Sequence, residues 1–496
     1  VVKEQGSNHR RFFDGSDFET SREIISLNLE YDLSDSTVIR FDYDDTNDDR
    51  PQDAGLLAGV DGKPTSNNEI IFTQPWATYN SDVRNVAVEV EHFFNDNWSI
   101  KTGYFNEDYE RDRYDQQYRG FDATTGDLKV RTRHRINRWD YTNTFIDLTG
   151  SFTTGSLTHN ILFGADATKI KLNNNETSRN EQYVTNIHSP IAIADPMIDM
   201  LDAPNLGETN RNGLFFQDNI TITDGLNVLI GVRYDDFDTY FQAAGAERSG
   251  EYSIDNLTPR IGVLYQPTDN QSWYASFSQS FEPNAPVSGD YDNAGEKLDP
   301  TFGDMYELGY KWENTDGDLI FSSAIFDIER NNAPFETSDN RIEQRGAQRH
   351  KGAEAALTGL IGNLSITSSI ALLNAEFTED DNPALIGNTP VAVPHFTAAI
   401  WAEYQFSENW TGLSLQAGWR FEGERPMDNA NTFDHDAFHK VDIGAKYDQR
   451  LADNSSLVYR LSISNLFDET YYKSRSLTDI NLEAPRLIRA SVEYNF

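Results

Sequence analysis

The segment Asp434-His435-Asp436-Ala437-Phe438-His439 has residue types and a spacing that could bind a metal ion. Two carboxylates and two imidazoles close together form the mixed oxygen and nitrogen donor set that transition metals accept. The alternative is a polar loop, which is the commoner role of such a segment. Asp434, His435, Asp436 and His439 are therefore weak metal-binding candidates, and the sequence predicts no resident cofactor.

A second oxygen-rich run consists of Asp42, Asp44, Asp45, Asp48 and Asp49, at the end of an early strand-like segment. Calcium takes several carboxylate and carbonyl oxygens as ligands, so the run suits its chemistry. The spacing differs from that of an EF-hand loop, however, and acidic residues are common throughout the chain. A solvated acidic rim is the favoured interpretation, and calcium binding at the acidic loops is the alternative.

The composition excludes several classes of function. The chain of 496 residues has 80 acidic and 41 basic side chains, a formal net charge of −39 at pH 7. Nucleic acid is therefore excluded as a partner, because phosphate binding needs a basic surface. Cysteine is absent, which excludes disulfides, thiolate metal sites and thiol catalysis. No phosphate-binding loop, nucleophile elbow or zinc-protease motif occurs, so we do not expect an enzyme.

Apolar and polar residues alternate in segments that recur from one end of the chain to the other. The clearest are 25–31, 226–234, 441–447, 457–463 and the terminal 488–496. A strand with lipid on one side and water on the other needs this period of two over about ten residues. No apolar run approaches the ~18 residues of a membrane-spanning helix. The pattern predicts an all-β fold, a transmembrane antiparallel β-barrel.

The connections between these segments are alternately very short and long. Tight-turn sequences occur at 95–97, 223–225, 267–270, 315–317 and 407–409. Long polar connections occupy roughly 45–82, 110–132, 170–210, 238–255, 280–303, 330–346, 376–393, 421–438 and 473–484. An outer-membrane barrel has short periplasmic turns and long outer loops, so this alternation predicts about twenty strands in one domain over residues 1–496. A soluble sandwich or solenoid is the alternative.

Six motifs in the second half of the chain occur in the order typical of one family. They are Leu257 to Val263 followed by Tyr274 to Pro283, then Tyr306 to Lys311, Lys351 to Glu354, Val393-Pro394-His395, Asn465 to Tyr472, and Ala484-Pro485-Arg486 before the final strand. In this order they resemble the TonB-dependent receptor family, specifically its siderophore-receptor branch. The motif resemblance covers residues 250–496, and earlier residues are similar in architecture alone.

The resemblance implies a barrel of the 22-stranded type, whose wide lumen is closed by a plug. Counting back from Phe496, the first segment of this sequence corresponds to the third strand. We therefore expect the plug, the energy-coupling box before it and the first two strands to lie outside this sequence. Phe496 is expected to act in barrel assembly.

The resemblance also implies a function, namely import of a ferric siderophore across the outer membrane of a Gram-negative bacterium. The implied partners are the siderophore, TonB with its inner-membrane complex acting through the plug, and outer-membrane lipid and lipopolysaccharide. Alternatives are a receptor of the same family for vitamin B12 or a glycan, a passive pore, and a surface adhesin.

Ligand capture by such a receptor requires aromatic rings and hydrogen-bond donors on the outer loops and the upper lumen wall. The candidates are Trp76, Tyr79, Tyr109, Tyr114, Tyr118, Tyr240, Phe281, Tyr291, Trp419, Arg425, Tyr472 and Arg475. We expect Arg425 to direct its donors into the vestibule, because it follows a segment with Trp419 and Phe421. For each candidate the alternative is a role in the interfacial girdle or in loop packing. The loops near 110–132, 280–303 and 421–438 are predicted to decide which chelate binds.

Overall fold

The computed structural model describes most of the chain. It leaves out residues 1, 58, 60–68, 178–181, 198–203, 285, 286, 288–290, 337–340, 381, 452–454, 477, 478 and 496, and the side chains of 7–9, 176, 177, 182, 249, 335, 336, 345, 473–476, 479 and 481. All statements below concern the remaining residues.

The described chain is built from β-strands, as the alternation predicts. In the first half they are β1 (Val2–Phe12), β2 (Asp17–Ser34), β3 (Thr37–Pro51), β4 (Ile70–Ile71), β5 (Thr78–Asn95), β6 (Trp98–Asp122), β7 (Asp127–Thr154), β8 (Leu157–Thr177), β9 (Gln182–Asn186), β10 (Asn205–Thr223), β11 (Leu226–Gln242) and β12 (Ser249–Thr268). In the second half they are β13 (Gln271–Glu282), β14 (Thr301–Glu313), β15 (Leu319–Glu336), β16 (Ile342–Ile361), β17 (Leu364–Glu379), β18 (Phe396–Gln405), β19 (Leu413–Glu422), β20 (Arg425–Pro426), β21 (Asp434–His435), β22 (Phe438–Arg450), β23 (Ser456–Ser464), β24 (Tyr472–Ser476), β25 (Asp479–Leu482) and β26 (Leu487–Asn495).

One sheet contains 22 of these strands. Two of them are short additions, β4 beside β1 and β9 beside β7. The other twenty pair antiparallel, each with the next along the chain, which confirms the predicted strand number. Among the described residues the only helix is a single 3-10 turn, Glu408–Trp410. No helix in this part of the chain is long and apolar enough to cross a membrane.

The two faces of the sheet differ in polarity. Ile25, Leu27, Leu29 and Tyr31 of β2 are all exposed on one face. The same face continues across the last strands, where Ile443 pairs with Ile463 and Ile463 with Ile488. The opposite face carries polar residues, which include the Arg460–Glu493 ion pair at 2.6 Å. The apolar face is therefore the lipid-facing exterior and the polar face is the inner wall of the barrel.

The short turns occur where the sequence predicts them, but three of the predicted long connections, 110–132, 238–255 and 330–346, lie largely within strands. Strands β6 and β7 continue through 110–132 and leave only residues 123–126 between them. Gly126 closes this turn in the left-handed conformation, with φ at 80°, and its N–H donates to the Asp122 carbonyl at 2.7 Å. The segment predicted as a loop is therefore a long hairpin. Similarly, β3 extends to Pro51, so the acidic run lies on a strand.

The long connections pack together at the end of the barrel opposite the short turns. Leu56, Met427 and Ile480 form a buried cluster that joins three separate connections. The Leu56 N–H donates to the Ile480 carbonyl at 2.7 Å. The connection before β5 is therefore anchored to the loop before β22 and to the β24–β25 hairpin.

Candidate functional site

The exterior face of the β6–β7 hairpin is covered by other segments of the chain. Leu128 and Val130 of β7 are fully buried and form a cluster with Leu57 and Phe72 from the connection before β5. Leu→Ala substitutions in such clusters cost about 2–5 kcal/mol, so this packing holds the hairpin firmly although it extends beyond the apolar belt.

Gln116 fixes the covering segment to the hairpin through hydrogen bonds. Its backbone N–H donates to Gln52 Oε1 at 2.5 Å, and its own Oε1 accepts from the Gln74 N–H at 2.7 Å. The Gln52 side chain donates back to the Gln116 carbonyl at 3.1 Å. Because Gln116 is completely buried, these bonds satisfy polar groups that would otherwise be costly to bury.

Three of the predicted ligand-capturing aromatics lie on this covered face. Trp76 donates its Nε1–H to the Ile193 carbonyl at 2.9 Å and meets the Tyr114 ring edge-on at 6.1 Å. Tyr118 packs against the Leu128 cluster. Tyr114 and Tyr118 are even-numbered residues of β6 and share the exterior face with Tyr104, so they point away from the lumen. Trp76 contacts Tyr114 from the covering segment, and the three side chains hold that segment in place.

The interior face of the same hairpin carries arginines in successive rows. Arg50 of β3 pairs across the sheet with Tyr79 of β5, Tyr79 with Arg113 of β6, and Arg113 with Arg135 of β7. One row nearer the membrane, Arg111 pairs with Asn137. The inner face of the four adjoining strands β3, β5, β6 and β7 therefore concentrates positive charge in a strongly acidic chain.

Aromatic rings lie between these arginines. The Arg50 guanidinium lies 4.5 Å from the centre of the Tyr79 ring, and the Arg111 guanidinium lies 4.8 Å from that of Trp139. Tyr109 stacks on Trp139 at 5.0 Å. We call the group of Arg50, Arg111, Arg113 and Arg131, with Tyr79, Tyr109 and Trp139, the arginine patch.

The arginines of the patch bond to neutral groups. Arg111 donates to the Tyr79 hydroxyl at 3.0 Å, and both Arg111 and Arg113 donate to Asn137 Oδ1, at 3.4 and 2.7 Å. Arg131 donates to Gln117 Oε1 at 2.9 Å. In the part of the chain that the structure describes, none of the four forms an ion pair. Asp115 beside them is already engaged by Arg133 at 3.2 Å and Arg135 at 2.6 Å.

This crowding changes the acidity of one guanidinium. Burial lowers the pKa of Arg113 to about 10, and the neighbouring positive charges of Arg135 and Arg111 act in the same direction. The side chain is still protonated at neutral pH. The charge on Arg113 is therefore only partly compensated, and a bound anion would stabilise it.

Several other candidates lie in different places. Trp419 pairs with Ile400 and Val441 on the exterior apolar face, so it belongs to the lipid-facing surface. Tyr240 lies 3.5 Å below the Arg248 guanidinium, next to the β11–β12 connection. Phe281 packs on Phe302 at 6.3 Å, and Tyr291 lies in the connection between β13 and β14.

Arg425 does not project into the vestibule, which corrects our expectation. The residue is 2% exposed, and its Nη1 lies 3.1 Å from a Glu422 carboxylate oxygen. Its Nη2 donates to the Tyr472 carbonyl, while burial lowers its pKa. Arg425 thus ties the β20–β21 loop to the β24–β25 hairpin.

His435 lies next to Arg425 and is also buried. Its Nε2 has no hydrogen-bond partner, and burial, with a contribution from Arg425, lowers its pKa to about 4. A cavity of about 320 Å³ beside it is lined by Asp434, Asp436 and Tyr472, among others. His439, by contrast, packs against Phe421 on the other side of this loop, with the ring centres 5.0 Å apart, so the two histidines do not converge.

The metal-binding candidates therefore do not form a site here. Among the described residues no three or more histidines, aspartates or glutamates are arranged to hold an ion. In the acidic run, Asp48 pairs with Arg22 at 2.7 Å and Asp45 with Arg84 at 3.3 Å. The side chain of Arg475 and all of Phe496 lie outside the described residues, so their expected roles stay predictions.

Comparison with known proteins decides the family. The model of the TonB-dependent receptor-like β-barrel matches residues 7–466. The chain belongs to this family. TonB-dependent receptors are outer-membrane transport proteins, which agrees with the predicted location and fold.

The relatives of this TonB-dependent receptor barrel bind metal chelates, by their names. This chain is 30% identical over 458 residues to the metal-pseudopaline receptor CntO of Pseudomonas aeruginosa. The match covers 88% of this chain and 60% of that protein. This chain is 28% identical over 339 residues to the ferrichrome outer membrane transporter/phage receptor of Escherichia coli, covering 66% and 44%. The chain thus spans about half of the curated relatives.

Solved structures show the same fold. The ferric preacinetobactin receptor BauA of Acinetobacter baumannii superimposes with a TM-score of 0.85 at 20% identity, covering 97% of this chain and 73% of that one. The ferripyoverdine receptor of Pseudomonas aeruginosa gives 0.84 at 19% identity, covering 100% and 67%.

Most of the arginine patch is absent from the candidates predicted from the sequence. Those candidates include Tyr79 and Tyr109, but not Arg50, Arg111, Arg113, Arg131 or Trp139. The signal is present as arginine at every second position, in Arg111-Asp112-Arg113 and Arg131-Thr132-Arg133-His134-Arg135. A period of two places such residues on one face, but only if the segment is a strand. Because 110–132 is predicted as a loop, the arginines at every second position do not indicate a common face.

Proposed function

We propose that this chain is the barrel of a receptor that imports a ferric siderophore. The arginine patch carries the proposal, because it places aromatic rings and cationic donors on the inner wall, at the end of the barrel with the long connections. A chelate entering from outside meets this surface first. The names of the relatives, which include ferrichrome and ferrioxamine receptors, support the same class of ligand.

We also propose that the native protein contains a plug and two further strands, through which TonB and its inner-membrane complex act. In the described structure β1 pairs with β2 and β4, whereas β26 pairs with β23 alone. The edge of β26 and the part of the β1 edge before Arg11, where β4 does not pair, are therefore available for further strands, which would close the barrel. The shorter length of this chain relative to its relatives supports this proposal.

Iron uptake tests the proposed function. The full-length receptor is expressed in a bacterial strain that lacks its own siderophore receptors, and radioactive iron uptake is measured with a panel of ferric chelates. We expect saturable uptake of at least one chelate, which disappears when TonB is deleted. Uptake of every small solute without TonB, together with large ion conductance in planar bilayers, would instead establish a passive pore.

A further inference from the structure

The partners of the patch arginines are unusual for this molecule. Acidic side chains outnumber basic ones by 80 to 41, so a carboxylate partner is easily supplied. Arg138 lies on the exterior face of β7, the strand that carries Arg131, and contacts Glu110 at 2.7 Å. Arg349 contacts Asp327 at 2.6 Å. The neutral partners of Arg50, Arg111, Arg113 and Arg131 are therefore a local property of the patch.

The patch is also held in position by its surroundings. The fully buried Leu128 cluster and the Gln116 hydrogen bonds stabilise the other face of the hairpin. On the interior face, Asn137 accepts from both Arg111 and Arg113 and donates its own amide to Asn174. Preorganised donors lose little conformational entropy when a ligand binds.

The protein itself does not satisfy the patch arginines fully. The Nε atoms of Arg111, Arg113 and Arg131 are buried and have no partner in the described structure, so a ligand would contact the terminal nitrogens of these guanidinium groups. A guanidinium presents its donors as a planar fork that matches the two oxygens of a carboxylate. Rings such as Tyr79 and Trp139 offer apolar faces to the carbon skeleton of a ligand.

We propose that the arginine patch selects a negatively charged metal chelate and binds its carboxylate oxygens. This inference rests on the proposed function and narrows its ligand from ferric siderophores in general to carboxylate-bearing chelates. An uncharged trishydroxamate chelate would leave the positive charges of the patch uncompensated. A carboxylate chelate neutralises them and forms charge-assisted hydrogen bonds with Arg111 and Arg113.

Binding titrations with three probes test the inference. The full-length receptor in detergent is titrated with ferric citrate, with uncharged ferrichrome and with a ferric triscatecholate, and tryptophan fluorescence is recorded because Trp139 lies within the patch. We expect ferric citrate to bind more tightly than ferrichrome. The double variant Arg111→Gln/Arg113→Gln should weaken ferric citrate binding by roughly a hundredfold or more, the loss of two charge-assisted hydrogen bonds.

Two further variants control for charge and folding. Arg138→Gln removes the same charge from the exterior face of β7 and should leave the ferric citrate affinity within about twofold, as expected of an exposed ion pair. Arg111→Lys/Arg113→Lys keeps the charge but removes the planar fork, and should give an intermediate affinity. Barrel formation by every variant is checked by the change in gel mobility on boiling.

The outcomes separate this inference from the proposed function. If ferrichrome binds most tightly, or if ferric citrate binds wild type and double variant equally, the inference is wrong while the receptor function stands. If only the triscatecholate binds, the assignment to carboxylates is wrong. If no chelate binds and no iron is imported, the proposed function itself fails.

Discussion

Arg233 and Arg113 lie on the same inner face of the sheet, but their partners differ. Arg233 contacts Asp166 at 2.7 Å and Asp235 at 2.9 Å, and Asp235 also binds Arg211 at 2.8 Å. A Cβ at Gly213 would collide with the Arg233 guanidinium, so this glycine keeps space for the network. Among the described residues, the acceptor of Arg113 is the amide oxygen of Asn137.

The difference shows two uses of arginine in one wall. In the Arg233 network each positive charge is compensated within the protein, and removing one member leaves the others unpaired. In the arginine patch the compensation is incomplete, and a ligand can supply it. The network therefore stabilises the barrel, whereas we propose that the patch keeps its charge for a ligand at some cost in stability.

Asp235→Ala should have the largest effect on stability. Asp235 is 2% exposed, and its removal leaves Arg211 without its carboxylate partner and Arg233 with Asp166 alone. We expect a loss of about 3–5 kcal/mol in the free energy of unfolding, as for other broken buried pairs. Urea unfolding in detergent, followed by gel mobility, measures it. The control is Asp108→Ala, which removes an aspartate of β6 outside this network. An equal loss of stability in both variants would contradict the structural role of the network.

Leu128→Ala should loosen the β6–β7 hairpin. It creates a cavity in a fully buried cluster, and the free energy of local opening should fall by about 2–4 kcal/mol. Hydrogen exchange of the amides in β7 and in the segment containing Phe72 reports this opening. Lys129→Ala, at the exposed neighbouring position, should change nothing. If both variants exchange alike, the cluster does not support the hairpin.

Arg425→Ala should affect the loops and not ligand affinity. The substitution removes the ion pair with Glu422 and the bond to the Tyr472 carbonyl, which should destabilise the β20–β21 loop by about 1.5–3 kcal/mol. Limited proteolysis detects the loosened loop, with Glu424→Ala as the exposed control. A large loss of chelate affinity with the loop intact would restore Arg425 as a ligand-binding residue.

Lowering the pH should open the β20–β21 loop, because His435 becomes protonated. Its pKa in the folded loop is about 4, below the ordinary value of 6.5, so the opened loop binds a proton more readily than the folded one. Stability is therefore fully present above pH 6.5 and is lost as the pH falls from 6.5 towards 4. Hydrogen exchange of residues 425–438, corrected for intrinsic rates, should show more opening at pH 5 than at pH 7. His435→Gln should abolish this difference, and its persistence in that variant would exclude His435 as the cause.

Arg113→Gln should have the smallest effect on stability. It removes a positive charge that lies near Arg111 and Arg135 and has no carboxylate partner in the described structure. We expect the free energy of unfolding to change by less than about 0.5 kcal/mol, or to rise slightly. Urea unfolding alongside Asp235→Ala makes the comparison direct. A loss as large as that of Asp235→Ala would show that the patch is a structural network like that of Arg233.

The architecture could be predicted from the sequence because a lipid-facing strand must alternate. Ile25 to Tyr31 and Leu226 to Tyr234 face lipid as predicted, and the tight turns occur at their predicted positions. The lengths of the strands beyond the membrane could not be predicted, since there alternation is no longer required on both faces. Residues 110–132 are polar on the interior face, and their exterior face is covered by a distant segment.

The candidate site was predicted only in part for the same reason. Aromatic residues such as Tyr79 and Trp76 look alike in the sequence, yet one faces the lumen and the other packs behind the hairpin. The burial of Arg425 depends on Glu422 nearby and on Tyr472 from another connection. Such contacts between distant connections leave no local pattern from which they could be inferred.

The position of the bound metal shows directly whether the arginine patch binds the chelate. Anomalous scattering from iron, in crystals of the full-length receptor with ferric citrate, gives the position of the metal without assumptions about the ligand. We predict iron beside the arginine patch, with chelate oxygens within hydrogen-bonding distance of Arg111 and Arg113. Iron bound beside Arg425 and His435, or elsewhere on the barrel with the patch empty, would contradict this assignment.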